Sequence, residues 1–277
     1  MTDSITNVRR TFVDGKYGQI HCRIAKPENA RQAAIVCLHM SPKSSVAFRE
    51  LLPHLADDRI AMAPDNPGHG ESDLPPAEPH VTIPDYAQSA WDAIDALTDG
   101  PVHLLGYHTG SMVAVEAARQ RPKDVLSIIN IAAPIFTAAE EAELDQTYSP
   151  LPLDTEGSRF QIMWGRVMDH LGPGVPLQVA AASFAENLRA GDDYEWGHRA
   201  AFAWGQTYNK QLAELTHPFL IINPNDDCHE MSLRANGIIE NVNILEYPAV
   251  GHGFCSTEPE KLAAAIKPFI AEHDTNV

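Results

Sequence analysis

A five-residue turn between a predicted strand and a predicted helix constrains the fold of this chain most strongly. Residues 106–110 are Gly-Tyr-His-Thr-Gly, which follow the apolar run 102–105 and precede a helical pattern over 111–121. Glycine at both ends permits a sharp, strained turn that holds the middle side chain at the end of the strand. Enzymes that use such a turn usually carry serine at its centre, whereas this chain carries His108.

Strand and helix patterns alternate along most of the chain. Continuous apolar runs such as 33–38 are typical of strands that are buried on both faces. The predicted strands are 7–26 (two strands joined at Asp14-Gly15), 33–38, 59–63, 102–105, 125–132, 218–223 and 242–247, and the predicted helices are 46–56, 84–97, 111–121 and 258–272. This alternation predicts an α/β fold, with a mostly parallel sheet that is flanked by helices.

The strand pattern is interrupted once. Between residues 134 and 216 the apolar residues occur at largely helical spacings, and no strand signal is present. The sequence therefore predicts an α/β core formed by residues 1–133 and 217–277, with a helical insertion at 134–216.

Composition limits the classes of partner. The chain has 277 residues and a formal net charge of −17, which argues against nucleic acid and anionic membrane surfaces. No apolar run approaches the ~20 residues of a membrane span, and Met1–Ser4 lacks the start of a signal peptide. The four cysteines show no CxxC spacing. We expect a cytoplasmic protein with a small-molecule substrate, and the sequence leaves a homodimer open.

Five segments in register give the chain a family resemblance. They are Leu38-His39-Met40-Ser41-Pro42, residues 65–72 (Asp-Asn-Pro-Gly-His-Gly-Glu-Ser), the turn 106–110, Asn223-Pro224-Asn225-Asp226-Asp227 and Gly251-His252-Gly253. In this order and at strand ends they resemble the α/β-hydrolase fold family, over about residues 18–272. The resemblance implies that the helical insertion is a cap over an active site.

The resemblance also implies a base and an orienting acid. His252 lies between two glycines after a predicted strand, which lets its side chain project into a site. Asp227 is the acid that we expect to accept the Nδ1–H of His252 and to fix its tautomer, and Asp226 is the alternative. The aspartate that is not used is expected in solvent or as the cap of a turn.

The positions of two further groups of residues suggest roles at the active site, one as backbone hydrogen-bond donors and the other as the wall of a substrate pocket. The resemblance places the donors of an oxyanion hole at the N–H of Thr109 and at that of Met40 or Ser41. Large apolar residues of the insertion, among them Trp164, Met168 and Trp204, are predicted to contact a small, partly apolar substrate.

Several other side chains carry groups that could take part in a reaction. Ser111 is expected to face the interior, Cys255 to be buried, and His69 to be structural. His39, His108 and His252 could meet at a metal ion. However, the acid is expected behind His252 rather than beside a shared ion, so we predict no metal and no cofactor.

His108 leaves the reaction open. Its place at the start of a helix disfavours an imidazolium, so we expect a mostly neutral base. His108 could attack a carbonyl, could hold a water together with His252, or could move a proton on the substrate in lyase, isomerase or decarboxylase chemistry. A non-catalytic binder on the same fold is a further alternative. The leading prediction is hydrolysis of an ester, lactone or activated C–C bond.

Overall fold

An eight-stranded sheet forms the centre of the structure, which is a computed structural model describing residues 7–172, 174–240 and 242–274. The predictions made for Met1–Ser4 lie outside these described residues. The strands are β1 (Val8–Gly15), β2 (Gly18–Ala25), β3 (Ile35–Leu38), β4 (Ala61–Pro64), β5 (Val102–Tyr107), β6 (Val125–Ile131), β7 (Phe219–Pro224) and β8 (Asn243–Tyr247).

The sheet is mostly parallel, as predicted. Its strand order is β1-β2-β4-β3-β5-β6-β7-β8. The β1–β2 and β2–β4 pairs are antiparallel, and every later pair is parallel. The carboxyl ends of β5 and β7 therefore lie at the same edge of the sheet, with only β6 between the two strands.

Helices cover both faces of the sheet because the central strands are apolar on both sides. Strands β3, β5 and β7 are buried along their whole length. The helices are α1 (Leu52–Leu55), α2 (Ile83–Leu97), α3 (Thr109–Gln120), α4 (Ala138–Thr147), α5 (Ser158–Asp169), α6 (Leu177–Arg189), α7 (Trp196–Phe202), α8 (Gly205–Ala213), α9 (His229–Leu233), α10 (Phe254–Thr257) and α11 (Pro259–Glu272). One hydrophobic cluster includes residues of α2 and α3, and the other includes residues of α1 and α11.

Helices α4 to α8 lie between β6 and β7 in the chain, inside the predicted insertion 134–216. Met163, Ala190 and Tyr194 form a small buried cluster within this helical insertion. The helical character of the segment is thus confirmed, and its division from the core as a separate domain stays a prediction.

The segment 46–56 differs from its prediction. A 3-10 helix at Ser45–Phe48 and the one-turn helix α1 replace the single predicted helix. Pro53, which has no backbone N–H to donate, lies in the first turn of α1, where proline is tolerated. Within the described ranges, no helix combines the length and the apolar character that crossing a membrane requires.

Candidate active site

The turn after β5 has the strained geometry that its glycines predict. His108 lies between β5 and α3 with φ 47° and ψ −114°, which is an uncommon conformation for a residue with a side chain. A Cβ on Gly106 would lie 2.2 Å from the carbonyl oxygen of Gly110, and one on Gly110 would lie 1.9 Å from the carbonyl oxygen of Leu38. The two glycines are therefore required by close backbone approaches.

His108 is hydrogen-bonded to Asp226. Its Nε2 lies 3.0 Å from Oδ2 of this aspartate, and since a carboxylate can only accept, Nε2 carries the proton. The Asp226 side chain is fully buried, and its Oδ1 accepts the backbone N–H of Cys228 at 3.0 Å. The Tyr107 hydroxyl donates weakly to Asp226 Oδ2 at 3.4 Å. One of the two aspartates was expected in solvent or as the cap of a turn, whereas the Asp226 side chain is buried and hydrogen-bonded to His108.

His252 has a carboxylate of its own. Its Nε2 donates to Oδ1 of Asp227 at 2.6 Å, so Asp227 is the aspartate that contacts this ring. Gly253, with φ 89°, directly follows His252 and is the N-cap of the short helix α10. The ring contacts the acid through Nε2, not through the Nδ1 that the resemblance implied.

The two pairs form one cluster. His108 Nε2 lies 3.9 Å from Asp227 Oδ1, and the His108 and His252 rings are nearly perpendicular with centroids 5.2 Å apart. One donor atom from each of these histidines, from Asp226 and from Asp227 all lie within 4.8 Å of one another. A substrate group that reaches one histidine is therefore within reach of the other.

The groups around His108 favour its charged form. Burial disfavours an imidazolium, but the Cys228 sulfur and the carboxylates of Asp226 and Asp227 outweigh it, so the pKa of His108 is raised well above its ordinary value. Burial also opposes ionisation of Asp227, yet His108 and His252 hold the pKa of this carboxyl below its usual range. The expectation of a mostly neutral His108 is wrong, because it considered the helix dipole and omitted Asp226.

A cavity of about 650 Å³ opens beside the cluster, and its wall includes His108, Asp227 and His252. The remaining wall comes largely from the helical insertion and from the loop after β3. The three residues predicted to contact substrate lie elsewhere. Trp164 packs on Phe184, Trp204 packs against the hydrophobic cluster of α2 and α3, and Met168 is 38% exposed without lining the cavity. Helical spacing identified apolar residues but not the face that they occupy.

The predicted oxyanion donors are placed in part at the cavity. Met40 and Ser41 line it, and Thr109 does not. Thr109 is the first residue of α3, so its N–H has no acceptor four residues earlier within that helix. Gly197 of the insertion packs directly on Ser41, because a Cβ at this glycine would lie 1.9 Å from the Ser41 hydroxyl oxygen.

The other candidate reactive side chains are buried in the core. Ser111 is buried and donates to the carbonyl of Gly106 at 3.1 Å, and Cys255 is buried with its pKa raised to about 12 by burial. His39 contacts the carbonyl of Met40 through Nδ1 and accepts the Asn66 N–H through Nε2. His69 is buried, with Nδ1 3.2 Å from the carbonyl of Pro67. His39 does not join His108 and His252.

Sequence reasoning missed two histidines on the cavity wall. His198 donates from Nδ1 to the buried Glu195 at 2.8 Å, and its ring packs on Tyr148 with centroids 4.6 Å apart. His170 lies with its ring 5.2 Å from that of His252. The i, i+3 spacing of Glu195 and His198 on a helical segment was the available signal for the first pair. No sequence signal connects His170 with His252.

The fold is that of the α/β hydrolases. A family model described as alpha/beta hydrolase fold matches residues 33–161. Epoxide hydrolase A from Mycobacterium thermoresistibile superimposes with a TM-score of 0.77 at 17% identity, and the match covers 96% of this chain and 98% of that one. The α/β-hydrolase fold expected from the sequence is therefore confirmed.

Curated relatives match over shorter stretches. Proline iminopeptidase of Heyndrickxia coagulans is 27% identical over 129 residues, which cover 47% of this chain and 45% of the relative. Pimeloyl-[acyl-carrier protein] methyl ester esterase of Neisseria meningitidis is 36% identical over 95 residues, 34% of each chain. The chain thus spans less than half the length of these relatives.

Proposed function

We propose that this chain is a hydrolase that cleaves an ester, a lactone or an activated C–C bond in a small, partly apolar substrate. The observation that carries the proposal is the placement of two histidines, each hydrogen-bonded to its own aspartate, beside one cavity. An oriented imidazole next to a substrate cavity is what acid–base catalysis of acyl transfer requires. A cytoplasmic location and a capping role for the helical insertion belong to the same proposal.

The hydrogen bonds favour an attack by water over an attack by His108 itself. Nε2 of His108 is bonded to Asp226, so an acyl-imidazole at that nitrogen would require this hydrogen bond to break. Within the described residues, the ring of His252 is hydrogen-bonded through Nε2 alone, which leaves its Nδ1 for water or substrate, while the ring of His108 also contacts the Cys228 thiol. In this mechanism His252 takes a proton from the attacking water while Asp227 holds its ring, and His108 donates to the developing oxyanion or leaving group.

The relatives support hydrolysis as the reaction type. The two curated relatives described above are named as a peptidase and a methyl ester esterase, and the structural neighbour is named as an epoxide hydrolase. These names cover different bonds, so several classes of carbonyl compound are needed to test the reaction type.

The experiment is a screen of the purified chain against aryl esters, lactones and 1,3-diketones. We expect turnover of at least one class and a fall in kcat of ~10²-fold or more in His252→Gln, the usual scale for a positioned acid–base group. The matched control is His80→Gln, because His80 lies beside the exposed Glu78 and outside the cavity wall. If a compound raises the thermal stability of the chain but no compound class is turned over, the result would contradict a hydrolase and favour a small-molecule binder.

A second candidate is proton transfer on carbon, as in a lyase, isomerase or decarboxylase. The presence of two histidines on the wall of one cavity favours it, because one ring can take a proton from carbon while the other returns a proton. Turnover in D₂¹⁸O distinguishes the two reactions. Hydrolysis incorporates ¹⁸O into the product, whereas proton transfer incorporates solvent deuterium without ¹⁸O.

A further inference from the structure

The four residues of the cluster have metal-binding side chains, and their donor atoms converge. Nε2 of His108 and Nε2 of His252 both point toward the carboxylates of Asp226 and Asp227. The prediction of no metal depends on an acid that lies behind His252. The structure instead has Asp227 Oδ1 between the two rings, 2.6 Å from one Nε2 and 3.9 Å from the other.

We propose that His108, Asp226, Asp227 and His252 bind one divalent transition-metal ion of the zinc class. Two imidazoles and two carboxylates suit Zn²⁺, which takes nitrogen and oxygen ligands at ~2.0–2.2 Å in tetrahedral sites. Bonds of that length put neighbouring donors about 3.3–3.6 Å apart around one ion. The observed separations of 2.6, 3.0 and 3.9 Å, with none above 4.8 Å, bracket this value. Small side-chain rotations reach it, and Asp227, which is 46% exposed, has room to rotate.

The ligands are held by neighbouring groups, as the ligands of metal centres are. Asp226 is fixed by the backbone N–H of Cys228 and by the Tyr107 hydroxyl, and the turn fixes the backbone of His108. His170 lies 3.9 Å from Asp227 Oδ2 and gives that carboxylate an outer partner.

The site is accessible from the cavity. His108, Asp227 and His252 all line it, so an ion can reach the donors without unfolding of the chain. Four protein ligands in a tetrahedral site are characteristic of structural zinc, whereas catalytic zinc keeps one position for water. This inference goes beyond the proposed hydrolysis, because it rests on the geometry of four donors and its readout is metal binding.

The experiment is a binding titration of the full chain after removal of metal with a chelator. Equilibrium dialysis against Zn²⁺ with elemental analysis should give one ion per chain, and Co²⁺ should produce visible absorption bands that saturate at the same ratio. His252→Gln and Asp226→Asn should each weaken Zn²⁺ binding by ~10²-fold or more, since each removes a ligand. His80→Gln should bind as the unmodified chain does.

Thermal unfolding followed by circular dichroism checks that each variant is folded. If Asp226→Asn does not fold, His252→Gln decides the result, because His252 lies on a partly exposed loop. Binding well below one ion per chain, or binding that His252→Gln leaves unchanged, would overturn the proposal. The cluster would then consist of two hydrogen-bonded His–Asp pairs without a metal. Turnover is measured on the same samples. Activity of the metal-free chain would support the proposed hydrolysis, while the Co²⁺ and Zn²⁺ titrations decide the metal site separately.

Discussion

His108 Nε2 and Asp226 Oδ2 lie 3.0 Å apart, with the aspartate side chain fully buried behind the turn. The residue that replaces the usual serine is thus hydrogen-bonded to the aspartate that was the alternative partner predicted for His252. His252 is tied to the next aspartate in the chain, Asp227. Two consecutive residues after β7 therefore orient two histidines from different parts of the sequence.

Asp226→Asn should lower kcat by ~10²-fold or more. The amide can still contact His108 but no longer stabilises an N–H on Nε2 as a carboxylate does, and a wrong tautomer costs acid–base catalysis heavily. Steady-state kinetics on the substrate found in the screen measures the effect. The matched control is Asp145→Asn, at an exposed position of α4. Equal kcat values for the two variants would contradict a role for Asp226 in the reaction.

His108→Ser should not produce an efficient esterase. His252 directs Nε2 toward Asp227, so only its Nδ1 could deprotonate a serine at position 108, and a base that is not placed at the nucleophile loses most of the rate. We expect loss of the native reaction, weak activity on activated aryl esters and slow labelling of position 108 by phosphonates. The unmodified chain should not be labelled in this turn, since position 108 carries no serine and Ser111 is buried. Full native activity of H108S would show that His108 is not needed for the chemistry.

Gly106→Ala should destabilise the fold strongly, whereas Gly165→Ala should not. A Cβ on Gly106 meets the backbone of Gly110 at 2.2 Å, where the neighbour cannot move aside, while a Cβ on Gly165 in α5 meets nothing within 4 Å. We expect a loss of ~3 kcal/mol or more for G106A, and a gain of up to ~1 kcal/mol for G165A from helix propensity. Urea unfolding of both variants provides the test, and similar stabilities would contradict the backbone geometry of the turn.

Stability should fall in acid partly because of Asp65. Burial alone would raise the pKa of this carboxyl group. The hydrogen bond from His21 at 2.7 Å and further donors outweigh burial and lower the pKa to about 2 in the folded chain. A lowered folded-state pKa stabilises the fold above the ordinary carboxyl pKa near 4, and that stabilisation is lost as the pH falls from about 4 to about 2. The contribution is about 2 kcal/mol.

Urea unfolding between pH 2 and pH 6 measures this dependence. Asp65→Asn should flatten it over that window, and Asp145→Asn, at an exposed site, should retain it. An unchanged slope in D65N would mean that other carboxylates carry the acid sensitivity.

The amino-acid sequence by itself determined the order of strands and helices and the position of the turn at His108. These features depend on local chemistry: apolar runs form buried strands, and glycines permit the strained backbone of residues 106–110. The segment containing Asp226 and Asp227 was also located from sequence, since both follow a buried strand. Helix 46–56 was mispredicted because periodicity alone does not fix where a short helix breaks.

Only the tertiary structure decided which groups meet. Asp226 contacts His108 because β5 and β7 are separated by β6 alone in the sheet, a relation between strands that are more than a hundred residues apart. The ring nitrogen that each histidine uses, and the position of His198 and His170 on the cavity wall, depend on side-chain directions in the packed molecule. Spacing along one chain does not encode these directions, so Trp164, Met168 and Trp204 could be recognised as large and apolar without their facing surface being known.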